Sequence, residues 1–376
     1  MTSARRPGAD LRAAVDWDAA RGLGALLAPA GPVDDREVLA AHVEGLRRAA
    51  ARAVPHVVDV TAMAPADGRD VVGDPALLSR VLVVDRASWV RAASQGMEVL
   101  LGAASPAPAG EQGAPGARGP GVVVQAAGAA EVGAALALVS TRVLGQFDPY
   151  VARPGEPGRL LLVAPNVLRV GRALGARPDP FALWVALHEQ THALQFAAAP
   201  WLADHLRGRV GALLEDVVAS GTELGRGGAV QRARTWAATL GRVVRAPAGT
   251  SLGTRLLSPS QRSTMAEIAA VMSLLEGHAD VMMDRVGENV VPGVGRIRAS
   301  FDARRAHRGG AVDTVLRKVL GLDEKLAQYT DGAAFVRGAM IRVGRRRLNA
   351  VWAAPENLPT WRELADPAAW VRRVHG

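Results

Sequence analysis

The chain has 376 residues, 49% of them hydrophobic and 22% charged, a formal net charge of +9 and no cysteine. That length and balance suit one large or two to three smaller globular domains with a real core, and exclude a disordered chain. The lack of cysteine excludes a disulfide scaffold, a thiolate metal site and a thiol nucleophile.

Arg5 and Arg6 near the start are compatible with a twin-arginine signal, but Asp10, Asp16, Asp18 and Arg21 interrupt the apolar run that must follow. No uncharged apolar stretch reaches the ~18 residues of a membrane span. A cytoplasmic protein without a membrane partner is expected. Residues 11–54 read as two helical segments, the second in "DREVLAAHVEGLRRAAARAV" with Asp34 or Asp35 as its cap. "SRVLVVDRASWVRAASQGMEVLL" reads as helical around Trp89, with "VLVVD" as an alternative short strand. Residues 104–121 are rich in Pro, Gly and Ala without periodicity, which predicts a loop. "VVVQAAGAAEVGAALALVSTRVLGQ" predicts a buried helix running to Gly145 or Gln146, and "RPGEPG" is turn chemistry. "RLLLVAPNV" is the best strand candidate, closed by Pro165.

Two long helices follow. "RPDPFALWVALHEQTHALQFAAAPWL" places Asp179 at the N-cap and Pro180 at the first helical position, and must end before Pro200. Its apolar residues fall all round, so it should be buried, and its polar groups then need partners. "SPSQRSTMAEIAAVMSLLEGHADVMMDRVG" has Ser258 and Pro259 as cap and first position, and Gly287 to end it. "ENVVPGVGRIR" reads as a loop, with further helices behind it and a Pro-broken tail. The elements are mainly α with a small β element. The expected organisation is an N-terminal helical region (1–103), the Pro/Gly-rich loop (104–121) and a core (122–376), forming one compact unit.

The chemistry concentrates in HEQTH. His188 and His192 stand at i and i+4, one turn apart on one helix face. Two imidazoles so placed can reach one tetrahedral zinc ion, and Glu189 between them can meet a water on that ion as general base. A third ligand at the spacing of a further His six residues on fails, because position 198 is Ala198. His205 lies beyond Pro200 and is a weaker candidate. Glu276 and Asp280, again i and i+4, offer one carboxylate for the metal and one to accept from the outer nitrogen of a ligand His. His278 is roughly 200° round the helix from Glu276 and is not expected on the same ion. The competing reading of Glu276 and Asp280 is an ion pair with an arginine such as Arg285. Gly277 beside them costs ~1 kcal/mol of helix propensity and would allow a close helix approach.

These residues resemble the gluzincin arrangement of zinc metallopeptidases. More closely, the chain is similar to an actinobacterial zincin-like family of zinc-dependent metalloproteases, one branch of which carries a label for coenzyme F420 biosynthesis. The resemblance rests on "VVDRASWV", "GQFDPY", "LLLVAPNV", "WVALHEQTHALQF", "PWL", "SLLEGHADVMMD", "KLAQY" and "ENLPTW". It implies a mainly helical zincin-like fold, Zn2+ held by His188, His192 and Glu276, Asp280 behind a ligand His, and Glu189 as the base. The expected activity is hydrolysis of a peptide or protein substrate. Tyr150, Tyr329 and His278 are candidates to stabilise the oxyanion, and the strand at 161–164 is a candidate to pair with an extended substrate. The alternative is a catalytically inactive binding or scaffold protein, its zinc closed by a fourth ligand from His205 or His278. A third reading uses Arg342, Arg345, Arg346 and Arg347 on nucleic acid. Lysine occurs only at Lys318 and Lys325, so the arginine excess reads as GC-rich compositional bias and a solvated surface is favoured.

Overall fold

The computed structural model describes residues 15–102, 122–153, 155–223, 258–308 and 332–376. The loop expected at 104–121, "KLAQY" and Tyr329 lie outside them. Helices α1 (Trp17–Leu27) and α2 (Arg36–Thr61) come first. Asp35 is the N-cap of α2, which runs through Pro55 to end at Thr61, seven residues beyond the expected segment. Strand β1 (Arg80–Val84) and helix α3 (Arg86–Gly102) divide "VLVVDRASWV" between them, so both readings of that stretch hold in part.

Helix α4 (Val122–Ser140) stops short of the expected end. Gly145 and Gln146, where that helix was expected to end, instead begin strand β2 (Gly145–Asp148). It pairs antiparallel with β3 (Arg159–Val163), which also pairs parallel with β1, giving the order β1-β3-β2. β3 is therefore central. Both its edges are taken, and the expectation that it offers one to a substrate is overturned. The outer strand on its far side is β2.

Every residue of β3 is buried, as a continuous apolar run in a covered strand should be. Its pleat feeds two cores. Leu160 and Leu162 join Leu46, Leu187, Leu274 and Phe335, while Leu161 and Val163 join Trp17, Trp89, Val90 and Val132. Helix α5 (Ala164–Ala173) leads from β3 to α6 (Pro178–Ala198). α6 starts one proline earlier than expected: Arg177 is the N-cap, Pro178 takes the first position and Asp179 lies in the first turn. An acidic group there still favours the helix N-terminus.

α6 packs along α2 and is crossed by α8 (Pro259–Arg285), with α7 (Trp201–Glu223) between them in the chain. Buried Gln190 of α6 fixes the α2 contact. It accepts from Ser79 Oγ at 2.9 Å, and its amide donates to the Ala50 carbonyl at 3.0 Å. The N-terminus of α8 is as expected, with Ser258 and Gln261 forming a capping box, and Gly287 follows its end with φ 76°. Helix α9 begins at Val294 (Val294–Arg308), inside the stretch expected as a loop. α10 (Gly332–Leu348) is broken at Gly344, with α11 (Trp361–Ala365) and α12 (Pro367–His375) last. α8 and α10 touch backbone to backbone: a Cβ on Gly277 would lie 2.1 Å from the Gly332 carbonyl carbon. No helix among the described residues is long and apolar enough to cross a membrane.

Candidate metal centre

α6 and α8 bring together three side chains: His188 and His192 of α6, and Glu276 of α8, which lies 84 residues beyond His192 in the chain. The Nε2 atoms of His188 and His192 are 3.2 Å apart. Glu276 of α8 faces both, with Oε2 3.5 Å from His188 Nε2 and Oε1 3.5 Å from His192 Nε2. Among the described residues these three form the one cluster of His, Asp or Glu that could hold a metal ion. Their side chains remain 20%, 12% and 29% exposed, so the cluster keeps an open side. His205 is elsewhere, with its ring edge-on to Trp201.

Each imidazole has its outer nitrogen directed to a different kind of group. His188 Nδ1 is 3.7 Å from Asp280 Oδ1, and Asp280 is in turn 3.3 Å from Arg298 of α9. The arginine that pairs with Asp280 is thus Arg298, which also bonds Asp284, while Glu276 faces the two histidines. A contact from α9 to α8 could not be read from local spacing. His192 Nδ1 donates to Gln195 Oε1 at 2.9 Å. Gln195 was not among the expected site residues. Its only sequence signal is its place three residues after His192, where a helix sets neighbours.

Glu189 is buried beside β2. The backbone N–H of Phe147 donates to its carboxylate. A Cβ on Gly145 would come within 2.5 Å of Glu189 Cγ, so the close approach requires glycine there. Burial and the negative charge of Glu276 raise the Glu189 pKa to about 7, against the pull of His188. Burial disfavours a charged ring at His188, yet Glu276, Glu189 and Asp280 together raise its pKa to about 9. A pocket that stabilises an imidazolium so strongly is electronegative, and suits a cation.

His278 is fully enclosed. Its Nδ1 accepts from Gln195 Nε2 at 3.0 Å, its ring stands edge-on to Trp352, and burial lowers its pKa to about 3. From that position it cannot offer a donor to a substrate, so its expected part as oxyanion stabiliser is withdrawn. Neither His205 nor His278 joins the cluster, so neither supplies the fourth ligand that a closed site needs. Tyr150 lies just past β2 under the Arg207 guanidinium, 5.4 Å from the ring centre, and burial raises its pKa to about 12. Arg345 caps the end of α2 by donating to the Asp59 and Val60 carbonyls, which gives one member of the arginine cluster a structural use.

Two histidines one helical turn apart, a carboxylate from a crossing helix and a buried glutamate beside them define the class of single-ion metallopeptidase sites. The chain belongs to the zincin-like metallopeptidase family, whose model matches residues 15–371. It is also similar to a crystal structure from Chloroflexus aurantiacus described as "a putative hydrolase with a novel fold". The identity is 28% and the TM-score 0.64, with 96% of this chain and 98% of that one covered. No curated protein matches.

Proposed function

We propose that the protein is a zinc-dependent hydrolase that cleaves peptide bonds. The observation that carries this is that the two Nε2 atoms lie 3.2 Å apart and each has a Glu276 carboxylate oxygen at 3.5 Å, Oε2 for His188 and Oε1 for His192. Bonds of 2.0–2.2 Å to one tetrahedral zinc require ligand separations of roughly 3.3–3.5 Å. His188, His192 and Glu276 would hold the ion through Nε2, Nε2 and a carboxylate oxygen, leaving the fourth position open. Zinc held there would acidify water and polarise a substrate carbonyl. Family membership and the likeness to a protein described as a hydrolase both favour this reading.

Glu189 takes the proton from the attacking water and returns it to the leaving nitrogen. The Phe147 N–H aims its carboxylate, and its raised pKa suits a group that must both accept and release a proton. Asp280 and Gln195 orient the two rings from behind.

The peptide reading rests on β2. The Val163 N–H donates to the Leu144 carbonyl, so the antiparallel ladder alternates from there. Leu144, Gln146 and Asp148 turn their backbone groups to β3, and Gly145 and Phe147 turn theirs outward on the Glu189 side, where the Phe147 N–H is already engaged by Glu189, so that Gly145 and the Phe147 carbonyl are the groups to offer a substrate. An extended peptide can pair with that outer edge while its carbonyl reaches the metal centre. A peptide or protein is therefore the expected partner.

The test combines metal analysis of the purified protein with cleavage of a mixed peptide library, for the wild type and Glu189→Gln. About one zinc per chain in both proteins, with cleavage by the wild type alone, is the expected result. One zinc per chain with no hydrolysis of any peptide, or cleavage that persists in Glu189→Gln, would overturn it.

A further inference from the structure

His278 is the buried titratable group that the proposed chemistry leaves unused. Its ring is fully inaccessible, and its Nε2 has no hydrogen-bond partner among the described residues. Enclosing a polar ring with one nitrogen unmet costs free energy. What the ring does provide is an acceptor, Nδ1, for Gln195.

The Gln195 amide has one possible orientation. Its Nε2 lies 3.0 Å from the Leu275 carbonyl, which can only accept, so that end must be the NH2. The same nitrogen lies 3.0 Å from His278 Nδ1, so His278 must carry its proton on Nε2. Both amide hydrogens are then committed, and Oε1 is left to face His192 Nδ1 at 2.9 Å. An oxygen there requires an N–H on Nδ1. The lone pair of His192 is thereby confined to Nε2, the atom facing His188 and Glu276.

We propose that His278 and Gln195 form a tautomer lock on His192: positioning residues that keep its Nε2 free to bind metal. The idea rests on reading His192 as a ligand, but the lock itself exists without metal. The two helices are joined by it as well, since Gln195 lies on α6 while Leu275 and His278 lie on α8.

Each ligand imidazole is thus fixed differently. His188 faces a carboxylate, which accepts from an N–H in any rotation of its own group. His192 faces an amide, which would present the wrong atom if it turned over. Only the amide needs further groups to stop the flip, and these are the Leu275 carbonyl and His278 Nδ1, which take its two hydrogens.

The experiment uses His278→Phe, which keeps a ring but removes the acceptor, His278→Asn, whose side-chain oxygen can replace Nδ1, and Gln195→Leu. Two readouts are taken: the His192 tautomer in metal-free protein, by 15N chemical shifts, and the zinc dissociation constant by chelator competition. In the wild type and His278→Asn, His192 should be protonated at Nδ1. In Gln195→Leu the two tautomers should mix and zinc should bind about 10–100-fold more weakly. In His278→Phe, where the Leu275 carbonyl alone still holds the amide, both effects should appear in the same direction and be smaller. Melting of each variant separates this from a loss of fold. Should a folded His278→Phe keep both the wild-type tautomer and the wild-type affinity, His278 would be a packing residue and the proposal would fall. If the wild type binds no zinc, the metal reading fails alone, and the tautomer measurement still decides for or against the lock.

Discussion

The two cores on either side of β3 tie their elements together with different buried polar groups. On the side of Trp17, Trp89 and Leu161, Ser94 and Ser140 donate back to the Val90 and Ala137 carbonyls of their own helices, while Asn166 of α5 donates to the Ser140 and Val143 carbonyls and accepts from Arg86 of α3. On the side of Leu187 and Leu274, buried amides and imidazoles reach other elements. Gln190 ties α6 to α2, and Gln195 ties α6 to α8. An apolar core accepts many helix placements of similar energy. A buried amide accepts the one that meets all its hydrogens. On the site side those amides join α6, which carries His188 and His192, to its neighbours α2 and α8.

Substitutions should separate the two sides. Ala at His188, His192 or Glu276 should abolish both zinc stoichiometry, read by mass spectrometry, and cleavage. Glu189→Gln should keep the zinc and lower kcat by roughly 10²–10⁴, or about 3–5 kcal/mol of barrier. Trp89→Ala, on the other side, should cost about 3–5 kcal/mol of stability in a urea melt while one zinc per chain remains. If it released the metal, the two cores would not be independent in the way described.

Acid should act on the site side. His278 is held neutral, its pKa lowered by burial to about 3 against 6.5 for the free side chain. The unfolded chain therefore takes up a proton that the fold refuses. The stability this gives is complete above pH 6.5 and is lost as pH falls toward 3, by at most about 1.4 kcal/mol per unit from this ring. Urea melts of metal-free protein at pH 7.5 and 4.5 should show the loss, and His278→Asn should reduce it. The smallest expected effect is that of Gly277→Ala, roughly 1–3 kcal/mol, because the new methyl meets the α10 backbone. A cost near zero would mean that α10 can slide without harm.

The parts legible in the sequence were those with helical periodicity. HEQTH and Glu276 with Asp280 declare themselves because i and i+4 share a face, and α8 was bracketed by Ser258 and Gly287 because capping is local chemistry. β2 was not legible: "GQFD" is four residues with no β-branched member, and it is a strand because β3 lies beside it. The centrality of β3 was hidden with it, since a strand's position in a sheet is set by partners and not by its own sequence. Arg298, the bonds of Gln195 to Leu275 and His278, and the enclosure of His278 were missed for the same reason. Each is defined by a contact between helices that nothing local encodes.

The contact of Gly145 with Glu189 has a consequence for redesign. The outer strand and Glu189 bear directly on each other, so under the proposed function the strand would work as a fixed ruler: a peptide laid along it would arrive with one bond opposite the glutamate. Changing which peptides are cut would then mean altering the pockets on either side of that mark. Any side chain at Gly145 would move the mark itself.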